Sequence, residues 1–301
     1  MGPYLMRFHI RDLEQFTGVK AHTIRVWERR YGLLKPDRTD TNIRTYDLDE
    51  LKTILNVAFL NQHGHKISRI AAMSPEERER MVRETAQGEP TPEGILNTLV
   101  VAMLGFDETV FERTCDEHEQ QNGFRSLVED VLVKLMERIG ILWQSSAICP
   151  AQEHFVSNLM RQRLIVNTAR LQPASGTGAL NVLYLPEDEI HELGLLYLNY
   201  LLRANGQRTI YLGQSVPQSD LRQVVTLYGS AIRFITLLVV RPAPEDAKAY
   251  LAQLREAMPE DRVSFVAAGL TVRHIPQKEA PRGVLLLPDL NAVIAELVGP
   301  R

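Results

Sequence analysis

A short segment rich in acidic residues and containing one histidine lies where the chain passes from a predicted strand, residues 180–185, into a predicted helix. It carries the spacing Glu189-x-His191-x-x-Gly194. An imidazole in such a loop can donate one nitrogen to a metal, while a carboxylate two residues earlier holds the other nitrogen. A glycine three residues later leaves room for a flat macrocycle to approach the backbone. We interpret His191 as a metal ligand supported by Glu189; the alternative is a loop histidine without a ligand.

Basic residues cluster on a predicted helix near the N-terminus. A helix at residues 10–17, a tight turn at Gly18 and a helix at residues 21–31 form a helix-turn-helix pattern. In the second helix, Ile24, Trp27 and Tyr31 form an inward face. The outward face then carries His22, Arg25 and Arg29, with Arg30 on the flank. Outward guanidinium groups suit the base edges and phosphates of double-stranded DNA. The alternative is a basic helical module that binds protein.

The polar, turn-rich stretch 35–46 predicts a two-stranded wing beside this helix. We expect Arg38 and Arg44 to contact backbone phosphates and Tyr46 to pack beside a sugar. Residues 1–46 hold nine Lys or Arg and five Asp or Glu, whereas the rest of the chain holds 25 and 32. Only the first module should therefore approach a polyanion.

The remaining elements predict two further domains. Residues 93–171 are helical throughout and fit a four-helix bundle. From residue 180 onward strands alternate with helices, which predicts an α/β, doubly wound, flavodoxin-like parallel sheet that binds ligands beyond the carboxyl ends of its strands. The predicted domains are an all-α winged helix-turn-helix at 1–88, a helical-bundle cap at 91–171 and a Rossmann-type domain at 178–301.

Composition excludes several classes of protein. No apolar run approaches the roughly 20 residues of a membrane span, and the N-terminus lacks a signal peptide, so we expect a cytoplasmic protein. Cys115 and Cys149 are too few for a disulfide framework or a thiolate metal site.

The N-terminal residues resemble a known family. The motifs Ile10-Arg-Asp-Leu13, Thr23-Ile-Arg25, Trp27-Glu28, Tyr31-Gly-Leu33 and Arg44-x-Tyr46 are similar to the DNA-binding head of MerR regulators. The resemblance covers residues 7–75 and implies that Thr23 belongs to the DNA-contacting surface. The long coiled coil and cysteine cluster of the metal-sensing branch are missing, so the signal is not a thiophilic metal and dimerisation must use other surfaces.

The C-terminal residues resemble cobalamin-binding domains. The run 191–206, with Tyr211-Leu-Gly213 and Pro217, carries the likeness. It implies that His191 is the lower axial ligand to cobalt and that Thr236 and Gly269 line the cofactor site. The family's Ser-x-Leu reads Thr236-Leu-Leu238 here, and its Gly-Gly reads Ala267-Ala-Gly269, which departs from the pattern by one glycine.

A third likeness lies in the predicted bundle. Trp143 is followed ten residues later by Glu153-His154, which resembles the cap over cobalamin's upper face in CarH-type light-responsive repressors. The residue after the tryptophan, a histidine that captures cobalt after photolysis in those photoreceptors, is Gln144 here. The alternative is a core tryptophan and a solvated Glu-His pair.

Taken together, these features predict a DNA-binding transcriptional regulator controlled by cobalamin, with adenosylcobalamin as the first choice and a possible response to light. Cobalamin would bind between bundle and sheet and change a homo-oligomer, a dimer or tetramer, on its operator. The alternative is a regulator whose cobalamin-like module has lost the cofactor and serves protein interaction or oligomerisation. A cobalamin enzyme is excluded because 301 residues leave no room for a barrel-sized substrate domain.

Overall fold

The computed structural model describes residues 7–39, 41–87, 92–144, 148–172, 174, 178–229 and 231–299. The chain divides into two compact units, Met1–Leu159 and Met160–Arg301, each of which is described by itself. The first unit includes the helix-turn-helix region and most of the helices that follow it. The finer division into three domains stays a prediction.

The first unit opens with the predicted winged helix-turn-helix. Its elements are α1 Ile10–Thr17, α2 Ala21–Tyr31, the antiparallel wing strands β1 Asp37–Arg38 and β2 Arg44–Thr45, and then α3 Leu48–Gln62, α4 Ile67–Ala71 and α5 Pro75–Gln87.

Local chemistry explains where these first helices begin and end. Gly18 adopts a left-handed conformation, φ 70°, and its N–H donates to the Glu14 carbonyl, so α1 ends and the chain turns. On α2 two of the three expected inward residues, Ile24 and Trp27, are buried, whereas the third, Tyr31, is half-buried. Asp47 caps α3 by accepting a 2.9 Å hydrogen bond from the Glu50 N–H.

The predicted bundle region contains four helical stretches. They are α6 Pro92–Leu104; α7 Glu108–Asn122; a stretch made of α8 Phe124–Ser126, the π-helical turn Leu127–Leu132 and α9 Val133–Gln144; and α10 Pro150–Ala169. Within the first unit Arg138 of α9 donates to the Phe16 carbonyl at the end of α1, which ties the helices to the head. Among the helices that the structure describes, none is both long and apolar enough to cross a membrane.

The second unit is the predicted doubly wound sheet. Its five parallel strands stand in the order β4-β3-β5-β6-β7, the flavodoxin-like order. The strands are β3 Leu180–Pro186, β4 Thr209–Val216, β5 Ile232–Leu237, β6 Val263–Ala268 and β7 Val284–Leu287; the helices are α11 Leu193–Ala204, α12 Gln218–Leu227, α13 Ala247–Ala257 and α14 Leu290–Leu297.

The three central strands of this sheet, β3, β5 and β6, are largely buried on both faces. On one face, Tyr184, Phe234 and Phe265 from three neighbouring strands pack ring against ring beneath α12 and α13. On the other face α11 and α14 pack together. Apolar strands covered on both sides are what a parallel sheet requires, so the loops at the carboxyl ends of the strands are left to carry function.

The turn after β6 requires glycine at position 269, and this yields a stability prediction. Gly269 has φ 121°, and a Cβ there would lie 2.6 Å from the Leu238 carbonyl oxygen. We expect Gly269→Ala to lower the free energy of unfolding by roughly 1–3 kcal/mol or more, measured by urea denaturation. Gly229→Ala is the control, because a Cβ at that position meets open space. Equal stability of the two variants would contradict the expectation.

Candidate functional site

The outward face of α2 is basic and exposed. His22, Arg25 and Arg29 lie exposed on it, opposite the buried inner face, and Arg30 is exposed on the flank of the helix. The hydroxyl of Thr23 lies 3.2 Å from His22 Nε2 at the edge of the same surface. The arrangement places guanidinium groups on the helix in the way that a major-groove reader requires.

Two of the three wing residues that the sequence assigns to DNA contacts, Arg44 and Tyr46, are engaged inside the protein. Tyr46 is fully buried, and its hydroxyl donates to Glu28 Oε2 at 3.2 Å, so the expectation that it packs beside a DNA sugar is wrong. Burial and the Glu28 carboxylate raise the pKa of Tyr46. Arg44 Nε donates to Glu28 Oε1 at 3.1 Å, which engages this side chain inside the protein. Arg38 remains exposed in the wing and donates to Asn42 Oδ1.

The Glu189 carboxylate, after β3, is the most heavily hydrogen-bonded group at the carboxyl edge of the sheet. Its Oε1 accepts the backbone N–H of Ile190 and of His191 at 2.9 and 3.0 Å. Its Oε2 accepts the N–H of Val240 and of Arg241 at 2.6 and 2.8 Å. The carboxylate therefore joins the loop after β3 to the loop after β5.

These donors control the ionisation of Glu189. Burial alone would raise its pKa, but the hydrogen bonds from the Arg241 and Val240 amides and from His191 outweigh burial and lower the pKa to about 2. The side chain is thus a carboxylate at neutral pH, and it can only accept hydrogen bonds.

His191 is held by this carboxylate. Its Nδ1 lies 2.5 Å from Glu189 Oε1, and 54% of its side chain is exposed. With a proton on Nδ1 shared toward the carboxylate, the lone pair of the neutral ring lies on Nε2. The contact between Glu189 and His191 that the spacing predicts is present, and Nε2 is the ring nitrogen that could bind a metal.

Gly194 has a role that the sequence reasoning misassigned. A Cβ at this position would lie 3.1 Å from Leu237 and 3.3 Å from Leu290. The space beside Gly194 is therefore filled by side chains of β5 and α14, and the glycine lets α11 pack closely on the sheet. It does not leave room there for a macrocycle.

Thr236 and the residues before Gly269 lie inside the sheet. Thr236 pairs in register with Tyr184 and with Ala267, and it is almost fully buried. Ala267 and Ala268 precede Gly269, where this chain lacks one glycine of the Gly-Gly pattern of cobalamin-binding domains. Both alanines are fully buried as well. The threonine hydroxyl is therefore not displayed at the exposed edge that carries His191.

The residues predicted to cap a cofactor lie in the first unit. Trp143, near the end of α9, is 49% exposed. Glu153 and His154 are adjacent on α10, with Glu153 Oε2 2.8 Å from His154 Nδ1. Gln144 is the last residue of α9, and its side chain lies outside the described part of the chain. The structure thus forms two separate Glu-His pairs, one in each unit.

Sequence reasoning missed three groups that the structure connects to the candidate residues. Glu28 binds both Arg44 and Tyr46, and an acidic residue on an otherwise basic helix was a visible signal. The amides of Val240 and Arg241 reach Glu189 from 51 and 52 residues away, a contact without a sequence signal. Glu192, next to His191, is buried.

Two parts of the chain match known families. Residues 8–77 match the MerR HTH family of regulatory proteins, and residues 95–166 match the B12 binding domain family. In fold, the monomethylamine corrinoid protein of Methanosarcina barkeri is similar, with a TM-score of 0.56 at 18% identity over 69% of this chain and 99% of that chain. Together with the exposed basic helix, these findings define a MerR-type regulator that carries a B12-binding domain.

Two similar proteins with known roles specify the family of regulators more closely. The chain is 30% identical over 274 residues to the HTH-type transcriptional repressor CarH of Myxococcus xanthus. The matched region covers 89% of this chain and 90% of that repressor. It is 28% identical over 270 residues to the repressor CarA of the same organism, covering 89% and 88%. The chain belongs to the CarH and CarA family of MerR-type transcriptional repressors. The expectation of a regulator rather than an enzyme is confirmed by these relatives.

The low pKa of Glu189 predicts a stability that depends on pH. Because the folded-state pKa lies below that of an unfolded glutamate, the carboxylate stabilises the fold at neutral pH, and this stabilisation is lost as the pH falls from about 5 toward 2. We expect Glu189→Gln to cost on the order of 3 kcal/mol at neutral pH, and the gap to the natural chain to shrink on acidification. Urea titrations across this range measure the gap.

Glu256→Gln, on the exposed face of α13, serves as the control for this comparison. A gap between Glu189→Gln and the natural chain that stays constant between neutral pH and about pH 3.5 would show that the Glu189 hydrogen bonds do not stabilise the ionised form.

Proposed function

We propose that this repressor binds cobalamin at the carboxyl edge of its sheet and that the cofactor controls binding to operator DNA. The observation that carries the proposal is the buried, ionised Glu189, which holds the half-exposed His191 where doubly wound folds bind ligands. The match of residues 95–166 to the B12 binding domain family and the likeness to CarH support it.

The DNA-binding part of the proposal assigns roles to the head. Exposed Arg25 and Arg29, with His22, Thr23 and Arg30 beside them, would contact base edges in double-stranded DNA. Arg38 would contact phosphate from the wing. Arg44, engaged by Glu28, would hold the wing against the recognition helix in addition to any phosphate contact. Tyr46 supports the same junction from the core.

The cofactor part of the proposal rests on the donor set of the second unit. The cobalt of cobalamin is already held by its macrocycle, so the protein would need to supply one donor, and His191 Nε2 would be that donor. Glu189 keeps the proton on Nδ1 and so fixes the tautomer and the direction of the ring. Adenosylcobalamin, our first choice, would supply a cobalt–carbon bond that visible light cleaves.

The cap residues lie on the first unit. We propose that half-exposed Trp143 covers the upper ligand of the cofactor and that the paired Glu153 and His154 contact it as well. Glutamine at position 144 offers no imidazole, so we expect no capture of cobalt by that residue after illumination. We further propose that the protein acts in the cytoplasm as a homo-oligomer, a dimer or tetramer.

One observation favours a second candidate function. Ala267 and Ala268 are fully buried, and a methyl group of this pair fills space where the family pattern has one further glycine. In this alternative the sheet unit has lost cobalamin and serves as a protein-interaction or oligomerisation module. The two candidates differ directly in whether purified protein binds cobalamin.

The basic face of α2 predicts sequence-dependent DNA binding. We expect Arg25→Ala to relax base preference at particular positions by roughly 1–3 kcal/mol, because a bidentate contact to guanine would be lost. The measurement is a binding titration on a DNA fragment selected in vitro with the natural chain and on its single-base variants. Arg113→Ala, an exposed arginine on α7, changes net charge equally and should leave preference unaltered. Identical preferences in both variants would refute the assigned interface.

The Glu189–His191 pair predicts a cofactor phenotype. We expect His191→Ala to weaken binding of adenosylcobalamin and methylcobalamin by about tenfold or more, measured by visible absorbance titration, with the fold checked by circular dichroism. His274→Ala, an exposed histidine in the same unit, is the control. Equal binding by the natural chain and His191→Ala would remove the ligand role. Absence of binding by the natural chain would favour the interaction module.

A further inference from the structure

Glu192, the residue after His191, is a buried carboxylate with a partner on each oxygen. Only 5% of its side chain is exposed. Arg161 Nε donates to Oε1 at 2.5 Å, and the Tyr211 hydroxyl donates to Oε2 at 2.7 Å. Burial and this carboxylate raise the pKa of Tyr211, which keeps its hydroxyl protonated as the donor.

Such a carboxylate depends on its partners. An ionised group withdrawn from water costs several kcal/mol unless it is paired and hydrogen-bonded. Arg161 itself is 47% exposed and does not need the pair for its own solvation. The pair therefore constrains Glu192 far more than it constrains Arg161, and it fixes the backbone to which Glu192 belongs.

The loop is consequently held on both sides of His191, the proposed cobalt ligand. Glu189, two residues before His191, is fastened to the amides of Val240 and Arg241. Glu192, one residue after it, is fastened to α10 by Arg161 and to β4 by Tyr211. The side chain between the two carboxylates, His191, stays half exposed.

We propose that Arg161 and Glu192 are positioning residues for His191, which fix the loop so that its imidazole is directed for axial ligation. The proposal rests on the proposed cobalamin function. A loosened loop must be ordered when the ligand bond forms, and the free energy of ordering is subtracted from that of binding.

The test uses the full-length chain and adenosylcobalamin. We expect Arg161→Ala and Glu192→Gln to weaken cobalamin binding by about 10- to 100-fold, the range found when residues that orient a metal ligand are removed. Arg161→Lys, which keeps the charge, should recover part of the loss. In the cofactor-free protein, amide hydrogen exchange across residues 187–192 should accelerate in Arg161→Ala.

A matched control lies in the same unit. Arg222 forms an ion pair with Glu260 at 2.5 Å and is 48% exposed, close to the value for Arg161. Arg222→Ala should leave both cobalamin affinity and exchange in the loop unchanged. This control separates loss of a surface ion pair from loss of a positioning contact.

The outcomes are distinct. Arg161→Ala that folds, binds cobalamin within about twofold of the natural chain and shows unchanged loop exchange has only a structural role, which overturns the proposal. If Arg161→Ala fails to fold, Arg161→Lys and Glu192→Gln decide by the same two measurements. If the natural chain binds no cobalamin, the proposed function fails, and loop exchange in the cofactor-free variants alone decides whether the pair positions His191.

Discussion

The buried Glu189 carboxylate is the contact on which the carboxyl edge of the sheet depends. It accepts four backbone N–H groups, two from its own loop and two from the loop after β5, and it also binds Nδ1 of His191. Strands β3 and β5 are neighbours in the sheet, and β3 is the strand at which the order reverses. Doubly wound folds bind ligands at this point of the sheet, and here one side chain both joins the two loops and contacts the imidazole.

A carboxylate also holds neighbouring side chains in place in the helix-turn-helix region. Glu28 is an acidic residue on a basic helix, and it holds Arg44 and Tyr46 of the wing. Wing strands of two residues each have few hydrogen bonds of their own, so a charged side-chain contact of this kind contributes much of their placement. In both units a carboxylate contacts a residue of the proposed binding surface, since Glu28 holds Arg44 and Glu189 holds His191.

Much of the architecture could be predicted from local sequence. The inward face of Ile24 and Trp27, the cap at Asp47 and the alternation of strands with helices each depend on residues close in the chain, and all appear in the structure. The prediction for Tyr46 was wrong because the local pattern does not show that its backbone pairs with Phe8 and that its hydroxyl contacts Glu28. The prediction that Gly194 leaves room for a macrocycle was wrong because its neighbours, Leu237 and Leu290, are 43 and 96 positions away in the sequence.

The contacts of Glu189 and Glu192 show the same limit. The pairing of Glu189 with His191 spans two residues and was readable from the spacing. The bonds to Val240 and Arg161 span 51 and 31 residues, and no periodicity encodes them. Local patterns therefore predict which residues sit in the histidine loop, while only the tertiary fold shows what keeps that loop in place.

Helix α10 also bears on how such a chain can be recombined in evolution. It runs unbroken from Pro150 to Ala169, whereas the sequence boundary between the two compact units falls after Leu159. A crossover inside the helix would join halves from different ancestors and would separate Arg161 from the segment that precedes it. A crossover outside Pro150–Ala169 would leave this helix intact, so the boundary after Leu159 is a poor place to exchange modules between regulators.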